Sequence, residues 1–107
     1  MKKLLPMLPA ALLAAACASS SAPRAAGPAD PMLGKDCGHA IVIKARDQKT
    51  GTAMEYRWVA EHYPGSTAVQ GGYSLCDGIA ADQLRVTTKE GHTFILVFDV
   101  GAFYGKF

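Results

Sequence analysis

The sequence predicts a small α+β domain in which one helix packs on an antiparallel sheet of about four strands, closed by one disulfide. Three observations carry this. A single helix-forming stretch ends at an unambiguous stop, Tyr63-Pro64-Gly65. Three strand-like runs follow it, separated by glycine-bearing turns. Two cysteines, Cys37 and Cys76, lie on either side of the helix in a domain too small to rely on burial alone.

The elements follow in order. Ala40 to Ala45 (AIVIKA) is rich in β-branched residues and reads as a strand, and Asp47 to Gly51 reads as a polar turn. In residues 52–63, Met54, Tyr56, Trp58 and Ala60 alternate with polar neighbours as a strand would. Against that, Thr52-Ala-Met-Glu55 fits a capping box, and Ala, Met, Glu and Arg favour helix. A helix over 53–62 is therefore expected. Strands are expected near 67–75, 83–88 and 92–100. Asp77-Gly78 suits a tight hairpin, and Lys89-Glu90-Gly91 suits a three-residue loop with Gly91 left-handed. In the last strand Phe94, Leu96, Phe98 and Val100 share one face. Ile95 and Val97 on the other imply a strand covered in part on both sides.

Three domains of composition precede and include this fold: residues 1–16, 17–35 and 36–107. Met1-Lys2-Lys3 is a positive start, Leu4 to Ala16 is apolar apart from Pro6 and Pro9, and Ala14-Ala15-Ala16 leads into Cys17. A charged start, a short apolar stretch and small residues at a cut site make a secretory signal peptide. The stretch is too short and proline-broken for the roughly 20 apolar residues of a membrane span. Ala14-Ala15-Ala16-Cys17 resembles the lipobox of bacterial lipoproteins, with Ala14 in place of the more usual leucine. That resemblance implies acylation of Cys17, which becomes the new N-terminus. It also implies membrane attachment through palmitate-type lipid in the bacterial cell envelope, at the outer membrane facing the periplasm. The alternative is an ordinary secretory signal, cut after Ala16, Ala18 or Ala22.

Cysteine arithmetic favours the lipoprotein. Three cysteines leave one unpaired in an oxidising compartment. With Cys17 lipidated, Cys37 and Cys76 remain as one disulfide. Removing the signal also removes Lys2 and Lys3, leaving nine Lys/Arg against nine Asp/Glu. No basic excess then argues for nucleic acid or an anionic membrane surface. Ala18 to Lys35 is Ala, Ser, Pro and Gly with scattered charge, and reads as a disordered tether reaching roughly 20–30 Å.

Glu61-His62-Tyr63-Pro64-Gly65, Val97-Phe98-Asp99-Val100 and Phe103-Tyr104-Gly105-Lys106 resemble a pattern in small exported bacterial domains of no assigned function. The resemblance covers roughly the second half of the chain. It implies the same helix-then-meander order and brings no activity with it.

Little here demands a reaction. His39, His62 and His92 lack the spacing of a recognisable metal site, so neither metal nor cofactor is expected. His39 and His92 start strands, and His62 caps the helix C-terminus, where a cation suits the macrodipole. Ser74 in Gly72-Tyr-Ser-Leu-Cys76 misses the last glycine of a nucleophile elbow. Cys37-Gly-His39 could set a thiol beside a base, but a disulfide is the expected fate of Cys37 in the envelope. Asp77, Asp82 and Asp99 read as solvated turn and edge acids. The aromatic tail is the better functional hint: Phe103 is expected to pack back on the domain, with Tyr104 and Phe107 nearer the surface. Those three residues form the expected partner surface. The resulting expectation is a non-enzymatic binding or structural module that meets an envelope protein or the cell wall. The alternatives are an inhibitor of an exported enzyme, inserting a loop such as Tyr63–Gly72, and a small metal-dependent or hydrolytic enzyme built on the histidines.

Overall fold

The computed structural model describes residues 27–107. The signal peptide expected at 1–16, Cys17 and the first part of the expected tether lie outside these residues. A single-turn 3-10 helix, Cys37–His39, leads into β1 (Ile41–Val42), then α1 (Gln48–His62), β2 (Thr67–Cys76), β3 (Ile79–Thr87) and β4 (Thr93–Asp99). The four strands form one sheet in the order β1-β4-β3-β2. The β2-β3-β4 meander is antiparallel, while β1 pairs in parallel with the end of β4, Ile41 opposite Phe98. One helix on a four-stranded sheet is thus the fold the sequence predicts.

The parallel pair is short for a physical reason. β1 must reverse within a few residues to start α1, so only Ile41, Val42 and the Ile43 N–H, which donates to Asp99 O at 3.1 Å, reach β4. The strand expected over 40–45 shrinks accordingly. Further along the same edge the Val97 N–H donates to Gly34 O at 2.8 Å. Leu33 packs on the core and Gly34 is buried, with no room for a side chain between Ile41 and Leu96. The packed structure therefore begins before Asp36, which corrects the tether expected to run through Lys35.

α1 starts five residues earlier than expected. Asp47, in extended conformation, is its N-cap, and the Asp47 side chain accepts the Thr50 N–H at 2.8 Å. The Thr52–Glu55 capping box does not form. Both residues lie inside the helix, and Glu55 points into the core. Gly51, read as a turn residue, is helical and buried because the ring of Phe103 lies directly on it, where any β-carbon would collide. A glycine inside a helix costs about 1 kcal/mol against alanine, and here it makes room for a buried phenylalanine. Gly51, Glu55 and Val59 lie one turn apart on the buried stripe, and the C-cap Tyr63 continues it.

The turns form as expected. Asp77 (φ 52°) and Gly78 (φ 83°) are both left-handed, as a two-residue hairpin of type I′ requires, and Gly91 takes φ 94°. Cross-strand register puts Asp82, Leu84 and Val86 of β3 opposite Phe98, Leu96 and Phe94 of β4, on the face under α1. Phe98, Phe103, Leu84, Leu96, Val86 and Val100 are fully buried there. The opposite face carries a smaller cluster, Cys76, Ala81 and Val97, covered by Cys37, Ala40 and Ile79. Cys37 and Cys76 form the disulfide, with Cα atoms 5.6 Å apart. It ties the 3-10 turn to the end of β2.

Candidate functional site

The C-terminal tail is built into the domain rather than frayed from it. Beyond β4 the Phe103 and Tyr104 N–H groups both donate to Val100 O, and Gly105 takes φ 79°, which folds the chain back. Phe103 then falls against Gly51 with no exposure. Gln48, the first residue of α1, makes three hydrogen bonds here, two of them to the returning chain. Its backbone N–H donates to Lys106 O at 2.7 Å, and its Oε1 accepts the Gly105 N–H at 3.1 Å. Its Nε2 donates to the Tyr73 hydroxyl at 2.9 Å. The helix start, the tail and β2 therefore meet at one glutamine.

This junction lines a groove of about 260 Å³, bounded by Tyr73, Ser74, Leu75, Ala80 and Tyr104. The Tyr73 and Tyr104 rings meet at 5.2 Å, tilted by 57°. Leu75 is 80% exposed, Tyr104 52% and Phe107 entirely. Of the three tail aromatics expected at a partner surface, Tyr104 and Phe107 are thus available. Phe103 is not: full burial makes it the support for its neighbours. A second groove, of about 240 Å³, lies between β1 and α1 and is lined by Val42, Ile43, Met54, Arg57, Trp58 and Glu61.

The histidines do not converge. The His39 ring nitrogen Nδ1 is 2.7 Å from Asp36 Oδ1, and this hydrogen bond raises the His39 pKa and lowers that of Asp36. His62, the last residue of α1, stacks on Trp58 at 3.8 Å, and its Nδ1 lies 2.9 Å from Trp58 O. His92 is exposed in the turn before β4. Among the described residues no three His, Cys, Asp or Glu side chains could together hold a metal ion. Ser74 is an exposed strand residue rather than a strand-to-helix nucleophile. The Tyr63–Gly72 segment is mostly strand, since β2 begins at Thr67, and does not project as an inhibitory loop.

Sequence reasoning missed a buried acid pair. Asp82 was expected in solvent, yet Asp82 and Glu55 are both completely buried between β3 and α1. Gln70 Nε2 donates to both Asp82 oxygens, at 3.1 and 3.0 Å. Glu55 has no donor for either carboxyl oxygen. Burial, and then its hydrogen bond to Asp82 and the charge there, push the Glu55 pKa up to about 9. At neutral pH Glu55 is therefore held as the neutral acid beside Asp82. A bulge places Gln70 for this role. Gln70 pairs with Leu84 and Gly72 with Gln83, so Gly71 is the extra residue, and Gly72 takes φ 124°. The double glycine in β2 was the available signal for the bulge. Nothing local marked the two acids as a pair.

Comparison with known protein families, with curated proteins and with solved structures returns no match for this chain, so none points to an enzymatic family or fold.

Proposed function

We propose that this protein is a non-enzymatic lipoprotein of the bacterial envelope. It is attached through acylated Cys17 and binds an envelope protein through the groove between Tyr73, Leu75 and Tyr104. The observation that carries the binding reading is the split within the tail. Phe103 is buried and Gln48 bonds the chain at Gly105 and Lys106, while Tyr104 is held half-exposed in the groove it shares with Leu75. Leaving Leu75 and Tyr104 in water forgoes burial worth roughly 1.5–3 kcal/mol for a large apolar side chain. A rigid aromatic on an apolar patch is the composition of a protein-binding surface. Attachment rests on the signal-like residues 1–16 and on the pairing of Cys37 with Cys76, which leaves Cys17 as the odd cysteine.

Two measurements test this. Intact mass of the membrane-extracted protein should give a lipidated chain beginning at Cys17, and a soluble product starting at Ala18 or later would end the lipoprotein reading. A photoreactive phenylalanine analogue in place of Tyr104, which keeps an aromatic ring there, should on activation in the native envelope capture one defined protein, which mass spectrometry identifies. Capture of none would end the binding reading.

A further inference from the structure

We propose that the outer edge of β2 beyond its bulge, residues 72–76, takes up an extended, uncharged peptide segment of a partner protein as an added strand. This rests on the binding-module reading and specifies the chemistry of its ligand.

β2 is the outermost strand on its side of the sheet and is ten residues long. One side of its backbone pairs with β3. Among the described residues no turn or loop backbone bonds to residues 67–76 on the other. A free row of N–H and C=O groups is a template for another main chain, and edge strands ordinarily carry charges or proline to prevent such pairing. Thr67 to Cys76 contains no charged residue and no proline. Its one interruption is the bulge at Gly71, which kinks the strand at mid-length.

Those features select the occupant. Unpaired peptide groups at strand spacing match another extended backbone. The absence of Lys and Arg from β2 removes the donors a phosphate would need, and the absence of Asp and Glu removes attraction for a basic segment. A second copy is disfavoured, because two β2 strands paired about their centres would set bulge against bulge. The half beyond the bulge is the better seat. Leu75 pairs with Ala80 and Tyr73 with Asp82, so the two side chains share the face that opens on the Tyr104 groove. An added strand there would lay alternate side chains against Leu75 and Tyr104.

The test uses the full-length protein in detergent and a blocked heptapeptide of alternating valine and threonine. Hydrogen exchange of β2 is read by mass spectrometry, with the same peptide N-methylated at alternate positions as control. The unmethylated peptide should slow exchange in β2 about tenfold and the methylated one should not, since methylation removes the strand's donors. Leu75→Lys should raise the peptide concentration needed by about tenfold, with an unchanged melting temperature. Three results would overturn the proposal: no protection, equal protection by both peptides, or a β2 edge already protected by a dimer seen in sedimentation. If Tyr104 still captures an envelope protein while the heptapeptide protects nothing, strand addition fails and the binding-module reading survives. If capture fails as well, both fall.

Discussion

The two faces of the sheet are closed in different ways. Under α1 the core is thick: ten buried side chains, from Ile41 to Phe103, pack with Trp58 edge-on to Phe98. On the other face three buried residues lie beneath a short N-terminal segment, and that segment is fixed by the disulfide. Where burial is plentiful the chain relies on fit, to the point of placing a glycine in a helix to seat Phe103. Where burial is sparse it relies on a covalent link. The contrast also explains why an acid pair is tolerated on the thick face, since only there is enough structure packed around Glu55 and Asp82 to hold them out of water.

Breaking the fit on the thick face should have the largest effect. Phe103→Ala empties the site over Gly51 and should cost about 3–5 kcal/mol, measured by urea unfolding. Deleting residues 102–107 should do at least as much, because the Gln48 contacts go too. Breaking the link on the thin face comes next. Replacing Cys37 and Cys76 by alanine opens a loop with a sequence separation of 39, worth roughly 4 kcal/mol in the chain-entropy model. Its signature should differ: hydrogen exchange should rise first in residues 34–42, while α1 stays protected. Exchange rising uniformly over both faces would remove the distinction drawn between them.

The same contrast accounts for what the sequence revealed. Features set by neighbours in the chain were legible: the stop at Tyr63-Pro64-Gly65, the Asp77-Gly78 hairpin, left-handed Gly91 and the alternation along β4. The disulfide was legible from the expected compartment and the cysteine count. The split between Phe103 and Tyr104 was legible because a terminal aromatic cluster can be neither wholly buried nor wholly wet. What stayed hidden depends on residues far apart. Gly51 reads as a turn until Phe103 lies on it, so the helix start was placed late. Glu55 fits a capping box in the sequence, and only the packing of α1 over β3 sets it beside Asp82. The brief parallel pairing of β1 depends on how soon the chain must turn into α1.

The acid pair sharpens the comparison through pH. Glu55 binds a proton in the folded state up to about pH 9, whereas an unfolded glutamate releases it near the ordinary carboxyl value of 4.5. Between those values the folded state holds more protons than the unfolded one, so stability falls as pH rises, by up to about 1.4 kcal/mol per pH unit. Glu55→Gln should flatten the melting temperature over pH 5–8 and raise it at the upper end. A wild-type stability that climbs across that range would show that Glu55 is not held as the acid. The smallest effect is expected at the helix start: Asp47→Ala removes the cap on Thr50 and should cost about 1 kcal/mol.

The central claim is that adjacent tail residues divide the labour, Phe103 holding the tail in place and Tyr104 meeting the partner. The direct measurement places a photoreactive residue at Leu75 and compares the wild-type tail with Tyr104→Ala, reading capture in the native envelope and the melting temperature together. The account predicts that capture is lost while the melting temperature stays within about 2 °C of wild type, as for a half-exposed side chain whose loss costs at most a few tenths of a kcal/mol. Undiminished capture, or a fall in melting temperature as large as that of Phe103→Ala, would contradict it.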